Sequence, residues 1–564
     1  MNGREERRLA AAAVGALLVC LSLPIYNPDL FWHLSAARRM AESGAVPRAD
    51  WLSSTMRGAP WADFEWGSQV LFGLAFKAGG FAGLWLLKVL LLGAAAGVFW
   101  RLLGLSGAGL AYRSAALALW SAASFTRSDI RPELISTLGF ALAFLGLESR
   151  RQGTAAEARP IQTFLFFAAW ANFHAGFAYG LVLITLYAGA ETLAEMVLLR
   201  LRGESGRPGA LVDAAPGAPQ GAMLLWVHLA AAAAGSLIQP SGPGAYGVLW
   251  RHWRELGSLT RYITEWGPIR LDNPWHWPAW VVLFASFGAA LAAVRAGGGV
   301  AAAPLGALLY FGSSAFQHAR LAAYFCVLAP PLGLGWLEGA RLLPSPPSRA
   351  ARAACWTLTA LCLVYLLAWG RRFDVFRAVF QDRFIPVGAA DFLEREEAIL
   401  AGRTLYNPWG WGGYLGWRLY PKYPVFQDGR YIFHPLLEEA AKAIESPTAW
   451  QGFLDRRGTD TVLLENLRMP MSTTRVYPDG STRGFERPYY VSYMPRERWA
   501  LVFWDDKSLL FVRRAAVPED WLTAREYRYA RPFDDEALAD ALRRGEVPEP
   551  LLRTELERHA SDLR

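Results

Sequence analysis

The feature that limits this chain most is a succession of apolar runs separated by short basic loops. Eleven segments carry few charges and approach the roughly 20 residues that cross a hydrocarbon core: 9–25, 80–103, 114–125, 134–147, 161–171, 177–199, 223–237, 277–294, 300–316, 321–343 and 355–369. With 53% hydrophobic and 19% charged residues gathered in such blocks, the chain reads as an α-helical polytopic membrane protein with about eleven transmembrane helices.

An odd number of crossings is supported by charge. With eleven, the start MNGREERR and the loops holding Arg101, Arg113, Arg150, Arg151, Arg159, Arg200, Arg202, Arg207, Arg295, Arg341, Arg349 and Arg352 share one side, the cytoplasmic side by the positive-inside tendency. A twelfth crossing at 65–78 would invert every later loop, so that segment reads as a juxtamembrane helix. The first run has no small-x-small site in SLPIYNPD and reads as a retained anchor. The net charge of +8 thus reports topology and no nucleic-acid partner is expected. Cys20, Cys326, Cys355 and Cys362 all lie in apolar segments, so neither a disulfide framework nor a cysteine metal site is expected.

The outward loops collect the polar chemistry. The first, 26–79, is a polar and aromatic loop holding Asp29, His33, Asp50, Asp63 and Glu65. Carboxylates beside apolar segments are desolvated or shared, which suits them to act as bases. Later outward loops hold Arg127, Asp129, Arg131 and Glu133, then Asn172 and His174, then Gln317, His318 and Arg320. Plainer readings stand beside these: an ion pair of Arg131 and Glu133 at a helix start, a satisfied interfacial His174, and a snorkelling Arg320. Gly176 suits close approach of a ligand or of another helix, and arginines suit an anion site. The segment 239–277 fits an amphipathic helix in the headgroup layer.

After Trp369 no run of membrane length follows. Residues 1–371 read as the membrane domain, 372–515 as an extracytoplasmic α/β domain and 516–564 as a charged helical tail. Helix is expected over 386–400, short strands over 403–408, 423–431 and 460–465, and a hairpin over 499–514 that turns at Asp505 and Asp506. NPWGWGGYLGWRLYP reads more readily as a turn packed by aromatics than as a cradle for a sugar ring. Asp428 and Arg430 stand at a strand end, where loops face chemistry.

DLFWHL, GAVPRADWLSST, GAPWADFEW, WANFHAGF and WGGYL with VFQDGR resemble a bacterial branch of the GT-C superfamily of membrane glycosyltransferases, and the resemblance covers most of the chain. It implies transfer of a sugar from a polyprenyl-phosphate donor to a glycan, lipid or protein acceptor at the outer face of the bacterial inner membrane. Asp29 then takes the place of the first-loop base or its positioner. A second acid comes from Asp50, Asp63, Glu65 or Asp129, because Leu30 and Phe31 follow Asp29 where the mannosyltransferases commonly have a second acid. Arg127, Arg131 and Arg320 are expected at the lipid phosphate, and His33, Asn172, His174, His318, Asp428 and Arg430 at sugar or phosphate. A divalent metal is left open and no organic cofactor is expected. A polysaccharide assembly scaffold and a lipid or polysaccharide transporter are the competing classes.

Overall fold

The computed structural model describes residues 3–154, 159–205 and 221–563; Arg207 of the basic loops lies outside them. The first thirteen helices are α1 (Gly3–Leu21), α2 (Leu30–Ser43), α3 (Trp66–Leu105), α4 (Leu110–Ser124), α5 (Pro132–Arg151), α6 (Pro160–Trp170), α7 (Phe177–Ser205), α8 (Gly221–Ser236), α9 (Gly244–Leu259), α10 (Trp277–Arg295), α11 (Ala302–Gln317), α12 (Ala322–Gly339) and α13 (Arg349–Arg372). The chain forms two compact units, Met1–Tyr26 with Ala62–Gln381, and Asn27–Trp61 with Asp382–Arg564.

In the first unit each of the eleven apolar segments falls on a helix. Among the described residues, five helices are long and apolar enough to cross a membrane by length and composition: Trp66–Leu105, Phe177–Val197, Pro274–Arg295, Ala319–Gly339 and Arg349–Arg372. A straight helix of 40 residues would run about 60 Å, twice the hydrocarbon thickness. It does not stay straight, because Gly79 and Gly80 leave helical geometry, Gly80 at φ 57°. The break separates a first arm from the apolar second arm, where the sequence places a juxtamembrane helix before a span. The helices pack through small residues and aromatics. Phe99 stacks on the fully buried Trp120 at 5.0 Å, and Gly139 lies so close to Trp170 that a Cβ there would stand 2.8 Å from the ring.

The second unit is built on a mixed sheet. In chain order it contains α14 (Val387–Arg395), α15 (Glu397–Leu400), β1 (Leu405–Tyr406), α16 (Gly412–Leu419), α17 (His434–Ala443), α18 (Pro447–Arg456), β2 (Thr461–Glu465), β3 (Pro470–Val476), β4 (Thr482–Pro488), α19 (Tyr490–Tyr493), β5 (Trp499–Trp504), β6 (Ser508–Arg513), α20 (Glu519–Arg525), α21 (Asp535–Arg543) and α22 (Glu549–Asp562). The sheet order is β1-β2-β6-β5, with β1 parallel to β2 and the rest antiparallel. The β5–β6 hairpin turns at Asp505 and Asp506 as the sequence suggests, and a bulge between Leu501 and Phe503 interrupts its register. Its side chains are buried on both faces, which is why they read as an unbroken apolar run.

Three local expectations are corrected, and one element is new. The segment 26–79, read as a loop, contains α2, closed by Gly44 in the left-handed conformation, φ 67°, with its N–H donating to Met40 O. The NPWGWGGYLGWRLYP run forms α16 instead of a turn. Its Gly416 leaves room for Leu52, whose side chain would stand 2.8 Å from a Cβ at that position. The segment 423–431 is no ladder strand: Val425 bridges Ser53 in parallel, with Ser54 N–H donating to Val425 O at 2.8 Å. The polar β3–β4 hairpin was not foreseen, since it lacks an apolar face.

Candidate functional site

In the first unit, one carboxylate gathers three arginines from distant loops. Glu265 Oε2 accepts from Arg127 Nη1 at 2.6 Å and from Arg131 Nη1 at 3.0 Å. Arg320 Nη1 stands 3.7 Å from Glu265 Oε1 and its guanidinium lies over the Trp266 ring at 4.4 Å. Arg127 also approaches Glu133 at 3.7 Å. Burial works against the charge on Glu265, but Arg127, Arg131 and Arg320 outweigh it and hold the carboxyl well below the usual carboxylate range. Glu265 and Glu133 thus face three guanidinium groups in one cluster. His318 serves the same loop: its Nδ1 lies 2.7 Å from Trp266 O, and Ala319 N–H donates to Gly267 O.

The remaining residues of this unit divide into anchors and contacts. Asp129 is buried and accepts from the backbone N–H groups of Tyr26 and Ile130 at 2.9 and 2.6 Å. Burial raises its pKa above the ordinary value, against the pull of Lys88. Lys88, fully buried on α3, donates to Leu23 O. Asp63 accepts from Glu65 N–H at 3.0 Å and from Gln69 Nε2 at 2.9 Å, which fastens the start of α3.

Asn172 spends its amide on protein groups. Its Oδ1 accepts from Trp66 Nε1 at 2.6 Å and its Nδ2 donates to Ala168 O and Ile238 O at 2.7 and 2.6 Å. His174 Nδ1 accepts from Gly176 N–H at 3.0 Å, which fixes its proton on Nε2, 3.6 Å from Glu65 Oε1. Burial, aided by Arg320, pushes its pKa down to about 3. The ring is therefore neutral, and its approach to Glu65 is not an ion pair. Gly176 does allow a close approach, that of Ser136 and Tyr324 of neighbouring helices.

In the second unit, Asp29, His33 and Asp50 come from the segment Asn27–Trp61 and Asp428 and Arg430 from Asp382–Arg564. Asp29 is the residue before α2, and its side chain makes no capping bond. Asp29 Oδ1 abuts Gly429 so closely that a Cβ at 429 would collide with it, and Trp32 Nε1 would stand 3.3 Å from that Cβ. His33 is buried on α2 beside Trp32.

Next to Gly429, Arg430 grips two acids. Its Nη2 donates to Asp50 Oδ1 at 2.6 Å and to Asp428 Oδ2 at 2.7 Å, and its Nε donates to Asp428 Oδ1 at 2.9 Å. Asp50 also accepts from Ser53 N–H and Oγ–H at 3.2 and 2.6 Å. The three charged side chains are sealed, at 1%, 0% and 0% exposure. Rings of Trp51, Trp61 and Phe433 surround the guanidinium at 5.5, 5.0 and 5.4 Å. Burial opposes its charge, yet Asp428 and Asp50 raise its pKa above the ordinary value. Asn407 fixes the same segment by accepting from Phe426 N–H at 2.8 Å and donating to Gln427 O at 2.9 Å.

The structure thus joins Arg127, Arg131 and Arg320 in one cluster, Glu65 with His174 in a second, and Asp50, Asp428 and Arg430 in a third beside Asp29. Sequence reading missed Glu265 and Lys88. The only sequence signal for Glu265 is one acid set between aromatics in YITEWGP. Among the described residues no group of three or more His, Cys, Asp or Glu is placed to hold a metal ion.

No protein-family model matches the chain, and comparison with curated proteins found no match. Solved structures do match. The archaeal oligosaccharyltransferase AglB from Archaeoglobus fulgidus, in complex with an inhibitory peptide and a dolichol-phosphate, is similar over 92% of this chain and 80% of its own, with a TM-score of 0.53 at 12% identity. The Archaeoglobus fulgidus oligosaccharyltransferase tethered to an acceptor peptide containing the NVT sequon is similar over 96% of this chain and 83% of its own, with a TM-score of 0.53 at 11% identity. ArnT from Cupriavidus metallidurans bound to undecaprenyl phosphate covers 91% and 98% with a TM-score of 0.46 at 12% identity. The chain shares its fold with the Archaeoglobus fulgidus oligosaccharyltransferase, at low sequence identity.

Proposed function

We propose that the chain is a membrane glycosyltransferase that moves a sugar from a polyprenyl-phosphate donor to a glycan, lipid or protein acceptor at the outer face of the bacterial inner membrane. The observation that carries this reading is Asp29, a carboxylate at the N-terminus of α2, seated against Gly429 in a chain whose fold is that of AglB, which was solved with a dolichol-phosphate. In the proposed reaction the acceptor hydroxyl oxygen bonds to the anomeric carbon, the bond from that carbon to the phosphate oxygen breaks, and the lipid phosphate leaves with the electron pair. Asp29 takes the acceptor proton, a contribution of about 10²–10⁴ in rate for a placed base.

The leaving phosphate needs cations, and Arg127, Arg131 and Arg320, gathered on Glu265, are the candidates. Asp50, Asp428 and Arg430 act as positioning residues, since the oxygens of both acids are taken up by Arg430, Ser53 and backbone groups. His174, neutral and bound to Gly176 N–H, suits a positioning role beside Glu65, and His318 one beside Trp266. The proposed topology places the N-terminus in the cytoplasm and residues 372–564 outside.

The test is turnover by the purified full chain with an extracted pool of polyprenyl-phosphate sugars, read as free polyprenyl phosphate and glycosylated acceptor formed together. Absence of both, with lipid bound and a range of acceptors supplied, contradicts the proposal and favours a scaffold or a transporter.

A further inference from the structure

The first unit holds a cavity of about 530 Å³ that the proposed reaction does not use. It is lined by Val19 of α1, Leu367 and Arg371 of α13, and Asp374, Phe376 and Arg377 of the segment that follows. Arg349–Arg372 is a candidate membrane span, so the C-terminal end of α13 stands where hydrocarbon gives way to headgroups. Its lining has both characters: Val19, Leu367 and Phe376 are apolar, while Arg371 and Arg377 are exposed guanidinium groups without an ion-pair partner among the described residues. Asp374 is the one acid in the lining, and its carboxylate accepts from Gln381 Nε2 at 3.0 Å. The cavity wall therefore keeps a net positive charge.

The wall is also held in place. Asp374 and Phe376 adopt left-handed backbone, at φ 49° and 71°, which non-glycine residues seldom take. Gln381 Nε2 donates to Phe373 O at 2.6 Å, Ile25 N–H donates to Val379 O at 2.9 Å, and Gln381 N–H donates to Ile25 O at 2.8 Å. These bonds staple the segment to the chain just after α1. They leave Phe376 67% exposed.

We propose that this cavity binds the phosphate headgroup of an anionic glycerophospholipid, with Arg371 and Arg377 on the phosphate and Phe376, Val19 and Leu367 against the start of the acyl chains. Paired arginines at headgroup depth recognise anionic lipid, each contributing about fivefold in binding at a membrane surface. The proposal stands apart from the transfer reaction, because none of these residues belongs to the clusters around Asp29 or Glu265.

The full-length protein, purified into nanodiscs of mixed phosphatidylglycerol and phosphatidylcholine, is examined by native mass spectrometry for retained lipid. Wild type is expected to retain phosphatidylglycerol in preference to phosphatidylcholine. Arg371→Gln with Arg377→Gln lowers that preference about fivefold per charge removed, and Arg295→Gln, in the last turn of α10, leaves it unchanged. Equal preference in wild type and the double variant overturns the proposal. Inorganic phosphate alone, if it protects the wild type from thermal unfolding as well as phosphatidylglycerol does, makes the ligand a free anion and overturns the lipid. Where the double variant fails to fold, Phe376→Trp gives the reading instead, as the quenching it adds over wild type with its 25 Trp residues: added quenching stronger with brominated phosphatidylglycerol than with brominated phosphatidylcholine supports the site, and equal added quenching overturns it.

Discussion

Arg430 donates its Nη2 to Asp50, 380 residues earlier in the chain, at 2.6 Å, and both side chains are sealed from solvent. This bond and the parallel bridge of Ser53 with Val425 tie the segment 27–61 to the C-terminal residues within one compact unit. A charged group left alone in such a place is costly. Arg430→Ala leaves Asp50 and Asp428 without their cation and is expected to cost about 3–5 kcal/mol, seen as a lower thermal midpoint of the full chain and as earlier proteolysis within 382–564. A midpoint equal to that of wild type contradicts the reading of Arg430 as the pin.

Gly429 is needed for the seat of Asp29. Gly429→Ala puts a methyl group where Asp29 Oδ1 lies, so the carboxylate must move. The expected outcome is a fall in sugar transfer with a thermal midpoint close to that of wild type, since the clash falls on the Asp29 carboxylate, with the edge of Trp32 next nearest. Unchanged transfer in Gly429→Ala would show that the position of Asp29 is not critical.

Asn172 tests the difference between a structural and a binding residue. With Oδ1 on Trp66 and Nδ2 on two carbonyl groups, Asn172→Ala strands several polar groups, each costing about 1–3 kcal/mol. The thermal midpoint is expected to fall while the apparent KM for the lipid donor stays level. A raised KM at unchanged stability would instead place Asn172 on substrate.

His174 carries a pH dependence of definite sign. Its folded pKa, about 3 through burial and Arg320, lies below the unfolded value of about 6.5. The unfolded chain therefore binds the extra proton first, and stability falls as pH drops from about 6.5 toward 3. His174→Gln removes that group, so its thermal midpoint should decline less than that of wild type between pH 7.5 and mildly acid buffer. Parallel declines in the two proteins would show that His174 titrates normally.

Legibility in the sequence followed the range of the interaction. The eleven apolar segments were readable because hydropathy acts locally, and the boundary drawn between 65–78 and 80–103 falls at the break of Gly79 and Gly80. The α2 helix was missed although Asp29 before it and Gly44 after it are its boundary signals. Its residues Leu30 to Ala36 are buried on all faces, so no amphipathic period marks it. Arg127, Arg131 and Arg320 were singled out from their loops, but Glu265, which gathers them, lies 138 and 134 residues from the first two. No spacing rule reaches that far. The grip of Arg430 on Asp50 was hidden for the same reason, whereas its grip on Asp428, two residues away, lies within reach of local reading.

The measurement that tests the central claim most directly is sugar transfer from extracted polyprenyl-phosphate sugars by purified protein, wild type against Asp29→Asn at matched folding and expression. The account predicts that the amide variant keeps its thermal midpoint and its bound lipid and loses transfer by about 10²–10⁴. Transfer by Asp29→Asn at the wild-type rate would contradict it and move the base elsewhere.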